Sequence, residues 1–380
     1  MPAELRVREV DDGRSLRRFI DLPYRLYRDD PAWVAPLRHD VRERLDRDRS
    51  PFFEHGDAAS FLAERGGAVV GRVTAVENRL HNQTHGDRTG FFGLFETVDE
   101  QAVADGLLDA AAGWCRQRGL DAMRGPASLS VNDEFGLLVE NFTDPPAVMM
   151  PYNPPYYADR LRGAGLAPVR DLLVYEVGDK HHGTFTPIPD RIDSTLAKLQ
   201  QRLKVHIRPL DRSRFAAEVE TIKRLYNAAW ESNWGFVPMT EREIDDAAAK
   251  FRPVVVPEFV PFAEIDGEPV AFALALPDFN APLRRNRAGR LLPGVARILW
   301  TRYVGRFRRI RVLLLGVAAE HRNRGIDALL YRWIWSKVHE LQYWSAEAGW
   351  ILEDNKPMRK GLERIGFRVF RRYRVYERAL

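Results

Sequence analysis

The chain repeats itself at an offset near 200 residues. Leu5–Asp11 (LRVREVD) lies over Val205–Asp211 (VHIRPLD), and Arg25-Leu26-Tyr27 answers Arg224-Leu225-Tyr226. Phe61, Gly66 and Val69 match Phe262, Gly267 and Val270. Near the end of each half, Asn153, Gly165, Tyr175 and Glu176 match Asn355, Gly366, Tyr376 and Glu377. One match of this kind arises by chance. A series in the same order, with offsets drifting by only one or two, requires two copies of one folding unit.

Local signals agree between the copies. Leu5–Val10 and Val205–Leu210 read as short strands followed by helical stretches. Ser60–Ala75 turns on Gly66-Gly67 and Phe262–Leu276 on Asp266-Gly267, which predicts two β-hairpins. Phe91–Val98 followed by Gly106–Arg118 corresponds to the strand Val312–Val317 followed by an amphipathic helix carrying Ile326, Leu329, Leu330, Ile334 and Val338 on one face. Each copy then has a strand, a helix ending at glycine (Gly165, Gly366) and a last strand ending Tyr-Glu. The fold class expected is α+β: two tandem units, each a mixed, mostly antiparallel sheet flanked by helices.

The expected boundaries are a first domain at 1–177, a linker at 178–190 and a second domain at 191–380 with an insertion at 280–310. The linker holds His181 and His182, with no third metal ligand nearby, and reads as solvated chain. Across the 380 residues, 58 Lys+Arg against 53 Asp+Glu leave a net charge of only +5. That balance does not mark a nucleic-acid binder. Cys115 is the only cysteine, which excludes a disulfide framework and a multi-thiolate metal site. Charges of both signs run through the first thirty residues, and no apolar stretch approaches the roughly 18 residues of a membrane span. A cytoplasmic protein without an integral membrane segment is expected.

The positive charge is concentrated in the insertion. Arg284, Arg285, Arg287, Arg290, Arg297, Arg302, Arg306, Arg308 and Arg309 are joined by Arg311, with no acidic residue between Phe279 and Ala319. Leu292, Val295, Leu299, Tyr303 and Phe307 recur at helical spacing, so Leu291–Phe307 reads as a basic amphipathic helix. A lid or homodimer element is the preferred reading, ahead of a phosphate contact; an anionic membrane surface is another, and nucleic acid comes last.

Directly after it, Leu313–Leu330 runs from an apolar strand through a short turn with Arg322, Asn323, Arg324 and Gly325 into the helix that starts at Ile326 and Asp327. Such a turn exposes the first N–H groups of the helix beside two arginines, which suits a pyrophosphate. Neither GxxxxGK[ST] nor GxGxxG occurs there. The stretch resembles the acyl-CoA loop [Q/R]-x-x-G-x-[G/A] of the Gcn5-related N-acetyltransferase (GNAT) superfamily. Asn355-x-x-Met358-x-x-x-Leu362-Glu-Arg-Ile-Gly366-Phe367 resembles that family's last helix. Asp327 departs from the family's Gly or Ala, and Leu362 stands where many members carry a tyrosine acid. In the first copy the corresponding loop, Val98–Gly106, has acids where the arginines belong, so that copy reads as degenerate.

The resemblance implies an N-acyltransferase using acetyl-CoA or a longer acyl-CoA as co-substrate, without a metal, and a small-molecule or peptide amine as acceptor. Leu315, Gly316 and Val317 would line the pantetheine, with the Val317 N–H at the thioester carbonyl. Arg322 to Asp327 would hold the pyrophosphate, with Asn355 and Met358 nearby. Glu353 would be the base; the other reading of Glu353 and Asp354 is ordinary strand-end carboxylates that cap the following helix at Asn355. Trp230, Glu231, Asn233 and Trp234 would hold the acceptor, or else form a helix end with Trp packed in the core. The polar clusters His81, Asn82, His85 and Asn132-Asp133-Glu134 read as turn chemistry. The alternatives are a non-catalytic acyl-CoA sensor or scaffold, and an aminoacyl-tRNA-dependent transferase, since tandem copies also resemble the N-myristoyltransferase and peptidoglycan aminoacyl-transferase architectures.

Overall fold

The computed structural model describes residues 4–178, 183, 187–230 and 234–380, with the backbone alone at 228–230. The paired histidines 181 and 182 lie outside the described residues. The first half of the chain forms β1 (Leu5–Glu9), α1 (Gly13–Leu26), α2 (Arg38–Arg44), β2 (Gly56–Arg65), β3 (Ala68–Asn78), α3 (Arg79–His85), β4 (Thr89–Thr97), α4 (Gln101–Gln117), β5 (Ala122–Gly125), β6 (Leu137–Glu140), α5 (Tyr157–Gly163) and β7 (Ala167–Gly178). The second forms α6 (Asp190–Leu203), β8 (His206–Arg208), α7 (Phe215–Trp230), α8 (Glu241–Phe251), β9 (Phe262–Ile265), β10 (Glu268–Pro277), α9 (Asn280–Leu283), α10 (Leu291–Tyr303), β11 (Arg309–Val317), α11 (Ile326–Glu340), β12 (Ser345–Leu352), α12 (Lys356–Arg364) and β13 (Arg368–Ala379). The architecture is α+β.

The chain forms two compact units, and neither is a single stretch of sequence. Unit 1 comprises Met1–Leu172, Pro282–Leu299 and Arg371–Leu380; unit 2 comprises Leu173–Ala281 and Trp300–Phe370. In unit 1 the strand order is β1-β2-β3-β4-β5-β13, with β6 also on β13. In unit 2 it is β8-β9-β10-β11-β12, followed by the 173–178 part of β7. Among β1 to β5 with β13, and among β8 to β12, neighbouring strands are antiparallel except β4 with β5 and β11 with β12. Each unit therefore takes its last strand from the half of the chain that supplies the other unit's core.

Glycine sets the hairpins. Gly66 and Gly67 (φ 56° and 80°) join β2 to β3, and Asp266 and Gly267 (φ 51° and 85°) join β9 to β10. Two consecutive left-handed residues give the turn whose twist matches the flanking strands. In unit 1, α4 buries Val103, Ala104, Leu107, Leu108, Ala111, Ala112 and Cys115 against Ala59, Ala63, Val73 and Ala75 of β2 and β3. Phe19 and Leu22 of α1 meet Leu62 and Val69 instead. Leu62 and Ala63 are adjacent on β2, so α1 and α4 cover opposite faces of this sheet. Burial pushes the Cys115 thiol up to about 12, leaving an inert core sulfhydryl. In unit 2, α11 packs on β9, β10 and β11 and against α6, while α7 packs on β10 and β11.

The borrowed strand of unit 1 is tied in by charge. Arg374 Nε and Nη2 donate to the two oxygens of Asp171 at 2.6 and 2.9 Å, and Arg372 Nη1 adds a bond at 2.9 Å. Burial alone would raise the Asp171 pKa, but the bonds from Arg374 and Arg372 outweigh it and hold the carboxyl below its usual range. A depressed acid contributes stability that is fully present above its unfolded pKa, about 3.9, and is lost as pH falls through the lower folded value. Urea unfolding between pH 2.5 and 5 should therefore lose less stability on acidification in Asp171→Asn than in the parent. Parallel pH profiles would show that Asp171 carries no linkage.

Candidate active site

The two central strands of unit 2 separate. β11 and β12 pair from Arg309↔Ser345 to Val312↔Ala348 and no further, although β11 continues to Val317 and β12 to Leu352. On its other edge β11 pairs β10, and the register shifts between Leu274↔Leu314 and Ala275↔Val312. Leu313 is the extra residue of a β-bulge, which bends the strand where pairing to β12 ends. The result is a wedge-shaped gap with its narrow end at Val312 and Ala348.

The backbone groups facing that gap follow from alternation. Ala318 N–H donates to Val270 O at 2.9 Å, so Val317 turns its own groups away from β10. Ala273 N–H donates to Pro261 O at 3.0 Å, on the β9 side, which makes Ala273↔Leu315 a non-hydrogen-bonded pair with β11. Leu315 and Val317 thus present N–H and C=O to the gap, while Gly316 bonds to β10. Leu313, Leu314, Leu315 and Val317 are half-buried.

At the wide end β11 passes through Ala319–His321, one turn of 3₁₀ helix, into α11. Arg322 is half-buried, and its Nε lies 3.4 Å from Val317 O. Asn323 and Gly325 are left-handed, at φ 60° and 82°, and Gly325 is the residue that starts α11 with no side chain capping it. A Cβ on Gly325 would lie 2.8 Å from Leu199 Cδ2. Arg324 is exposed, with Nη1 2.8 Å from His321 Nδ1; Ile326 is buried and Asp327 stands in the first turn. These residues together make the start of a 15-residue helix whose N-cap residue offers its first N–H groups no side-chain acceptor.

Opposite this loop lies the turn after β12. Glu353 belongs to that turn, and its carbonyl accepts from Arg359 Nη1 at 2.6 Å. Arg359 Nε also donates to the Tyr175 hydroxyl, which donates to Glu363 Oε1 at 2.9 Å. Asn355 caps α12 by accepting from Met358 N–H at 3.2 Å, and the Tyr331 hydroxyl of α11 reaches Met358 Sδ at 3.7 Å. Of the acceptor residues expected from sequence, Trp234 is half-buried; Glu231 and Asn233 lie outside the described residues, as does the side chain of Trp230. Leu362 is 1% exposed, a core residue of α12.

At the narrow end is a charge group that the sequence did not reveal as a unit. Arg309 Nη2 lies 2.6 Å from Asp278 and Nη1 2.6 Å from Glu347, two carboxylates that are 1% and 0% exposed. Burial would lower the Arg309 pKa, but Asp278 and then Glu347 outweigh it and raise it further. Beside them Arg311 donates from Nη2 to Gly349 O at 3.1 Å and lies over the Trp350 ring. The only sequence signal is a pair of acids in otherwise apolar strand ends.

Unit 1 has the same wedge with a different filling. β4 and β5 pair only from Thr89↔Ala122 to Phe91↔Arg124. There Ala127 N–H donates to Phe92 O at 2.7 Å, and a Cβ on Gly93 would sit 1.8 Å from Ala127 O. The chain itself lies on β4 where unit 2 has its gap. The loop before α4 carries Asp99, bonded to Arg160, and Glu100, bonded to Arg65. Asn132, Asp133 and Glu134 belong to the loop that follows: Ser128 N–H donates to Glu134 O, and Asp133 N–H to Ser130 O. Asn82 Oδ1 accepts from Thr89 N–H, and buried His81 is held down at about 4 by desolvation.

This arrangement, repeated in two units, is the GNAT fold in tandem. Among solved structures, a tandem GNAT protein from the clavulanic acid biosynthesis pathway aligns over 99% of this chain and 98% of its own at a TM-score of 0.56 and 13% identity. A GCN5-related N-acetyltransferase from Sphaerobacter thermophilus aligns over 99% and 95% at 0.54 and 12%. No protein-family model matches the chain. Two curated bacterial proteins match over nearly the whole length. They are the bacterial ceramide synthase of Caulobacter vibrioides, 37% identical over 100% of this chain and 98% of that protein, and Protein YghO of Escherichia coli, 36% identical over 98% and 95%. The chain belongs to their family.

The narrow-end charges make a stability prediction. Replacing Arg309 by Met leaves Asp278 and Glu347 buried without their shared cation, and breaking a buried pair in this way costs about 3–5 kcal/mol. Urea unfolding of Arg309→Met should show that loss, and adding Glu347→Gln should recover part of it. Unchanged stability in the single variant would mean that the two acids are paired elsewhere.

Proposed function

We propose that unit 2 transfers an acyl group from an acyl-CoA to the amine of a long-chain amino alcohol. The observation that carries acyl-CoA is the joining of two features in one place: a strand edge, Leu315 and Val317, presented to an open gap, and the Arg322-x-x-Gly325 turn at the start of α11. An extended pantetheine arm adds to such an edge as a strand does. The N–H groups at the head of α11, with Arg322 and Arg324, suit a diphosphate, and Gly325 supplies the left-handed turn into the helix, where a Cβ would meet Leu199. The long-chain acceptor rests on the kinship with the bacterial ceramide synthase, since a ceramide is a long-chain amino alcohol acylated on nitrogen.

In the reaction the amine attacks the thioester carbonyl carbon. The C–N bond forms, the C–S bond breaks, and the thiol leaves with a proton while the nitrogen gives up one. The Val317 N–H, facing the gap, is the donor for the oxygen that becomes negative. Glu353, in the turn that follows β12, is the base in this reading. It takes the ammonium proton. Unit 1, with its wedge occupied by Ala127 and acids in its loop, supports folding and does not take up CoA.

The test uses the full-length protein with acetyl-CoA or palmitoyl-CoA and a C18 amino alcohol, following amide by mass spectrometry and released thiol by absorbance. Amide formation with the long-chain pair is expected, and its absence with every donor and acceptor would overturn the proposal. Arg322→Ala should raise KM for acyl-CoA by about 10–100-fold, as expected for a lost charged hydrogen bond, with kcat nearly unchanged. Glu353→Gln should lower kcat by about 10²–10⁴-fold, the usual contribution of a general base. Unaltered turnover would remove Glu353 from the mechanism.

A further inference from the structure

Helix α10 has an apolar surface that the transfer reaction does not use. Among its 13 residues only Gly294 is buried, against Leu37, Leu283 and Asn286. Leu292 is 81% exposed, Trp300 66% and Tyr303 74%, with Val295 and Leu299 also open to solvent. At 100° per residue these five side chains fall within an arc of about 140° on one continuous helix. No charged residue interrupts that arc. Arg302 borders one side of it and Arg297 the other.

The chain leading into and out of α10 is rich in arginine. Ten arginines and no acid lie between Asp278 and Glu320. Arg285 and Arg290 are exposed before the helix, and Arg306 and Arg308 after it. The segment leading into α10 is firmly held: Arg287 donates to the carbonyls of Tyr27, Arg28 and Trp33 at 2.7–2.9 Å, and Arg38 N–H donates to Gly289 O at 3.0 Å. A Cβ on Gly289 would lie 2.4 Å from Pro36 O. The helix is thus presented on a fixed base.

We propose that α10 lies in the interface of an anionic membrane, its Leu-Trp-Tyr face among the acyl chains and its arginines at the headgroups. A broad apolar arc with Trp and Tyr, bordered and flanked by cations, is the pattern of an interfacial helix. Charge decides the occupant: anionic lipid balances the exposed arginines Arg284, Arg285, Arg290, Arg297, Arg306 and Arg308, whereas a second copy would bring the same positive charges to the contact. At 13 residues α10 lies on a bilayer, and no described helix is long and apolar enough to cross one. The inference stands on this helix and not on the acyl-transfer reading, because vesicle binding and turnover of dispersed substrates are measured separately.

The full-length protein is mixed with vesicles of phosphatidylcholine alone or with one third phosphatidylglycerol, and bound protein is measured by flotation. Binding to the anionic vesicles, weakened by salt, is expected, with a blue shift of tryptophan emission that Trp300→Phe removes. Leu292→Glu combined with Trp300→Glu should reduce binding at least about tenfold, with circular dichroism and thermal unfolding unchanged at these exposed positions. Arg285→Glu with Arg290→Glu should reduce binding to anionic vesicles alone. Equal binding to both vesicle types, no binding to either, or a dimer that the Leu292/Trp300 variant dissociates without vesicle binding would each overturn the proposal.

Discussion

Two parallel strands that stop pairing halfway set the terms for everything else in unit 2. The bulge at Leu313 bends β11 away from β12, and from there Leu315 and Val317 hold backbone groups toward a gap instead of a neighbour. Buried backbone polar groups require partners. Unit 1 meets the same requirement internally, since Ala127 N–H takes the position on Phe92 O. Two copies of one scaffold therefore differ at the one place where the scaffold leaves hydrogen bonds to be completed. The difference turns on a short stretch of chain, because glycine at 93 admits the Ala127 backbone so closely.

Keeping the wedge open needs a firm narrow end. In unit 2, Arg309 of β11 joins Asp278 after β10 and Glu347 of β12, binding three consecutive strands in a single buried group. A cation shared by two acids satisfies more of their lone pairs than either pair alone, which is what makes a buried charge tolerable. Unit 1 carries a different buried group, on β4 beyond the last β4–β5 pair: Glu96 accepts from Tyr27 and Tyr157 at 2.6 and 2.7 Å, with Arg72 at 3.6 Å. There burial dominates, and the Glu96 carboxyl is raised.

The doubled fold was legible because its signals are local. Glycines at 66, 67 and 267 turn hairpins, glycines at 165 and 366 follow helices in the left-handed conformation, and the strand-to-helix turn with Arg322 and Gly325 is contiguous in sequence. The exchange of final strands was not legible. β7 and β13 end alike in Tyr-Glu and present alternating apolar positions, so either suits the edge beside β5 or β12; pairing such as Tyr376↔Gly125 is decided by long-range geometry. The Asp278, Arg309 and Glu347 group is hidden for the same reason, its members lying on three strands. Residues 282–299 joined unit 1 through Arg287, whose partners are backbone carbonyls that no sequence pattern marks.

Helix α10 raises a separate question of stability. An isolated helix of 13 residues is marginal in water, since few residues propagate what nucleation opposes. Packing at Gly294 alone offers little area, so much of what holds α10 is its fixed entry through Arg287 and Gly289. Leaving Leu292, Trp300 and Tyr303 in water is unfavourable, and exposed apolar patches invite association. The arginines around them oppose that association by mutual repulsion while leaving the surface available to anionic lipid. Apolar exposure and one-signed charge are thus two parts of one arrangement: the first gives affinity for a lipid interface, and the second keeps the same surface from being satisfied by another copy of itself.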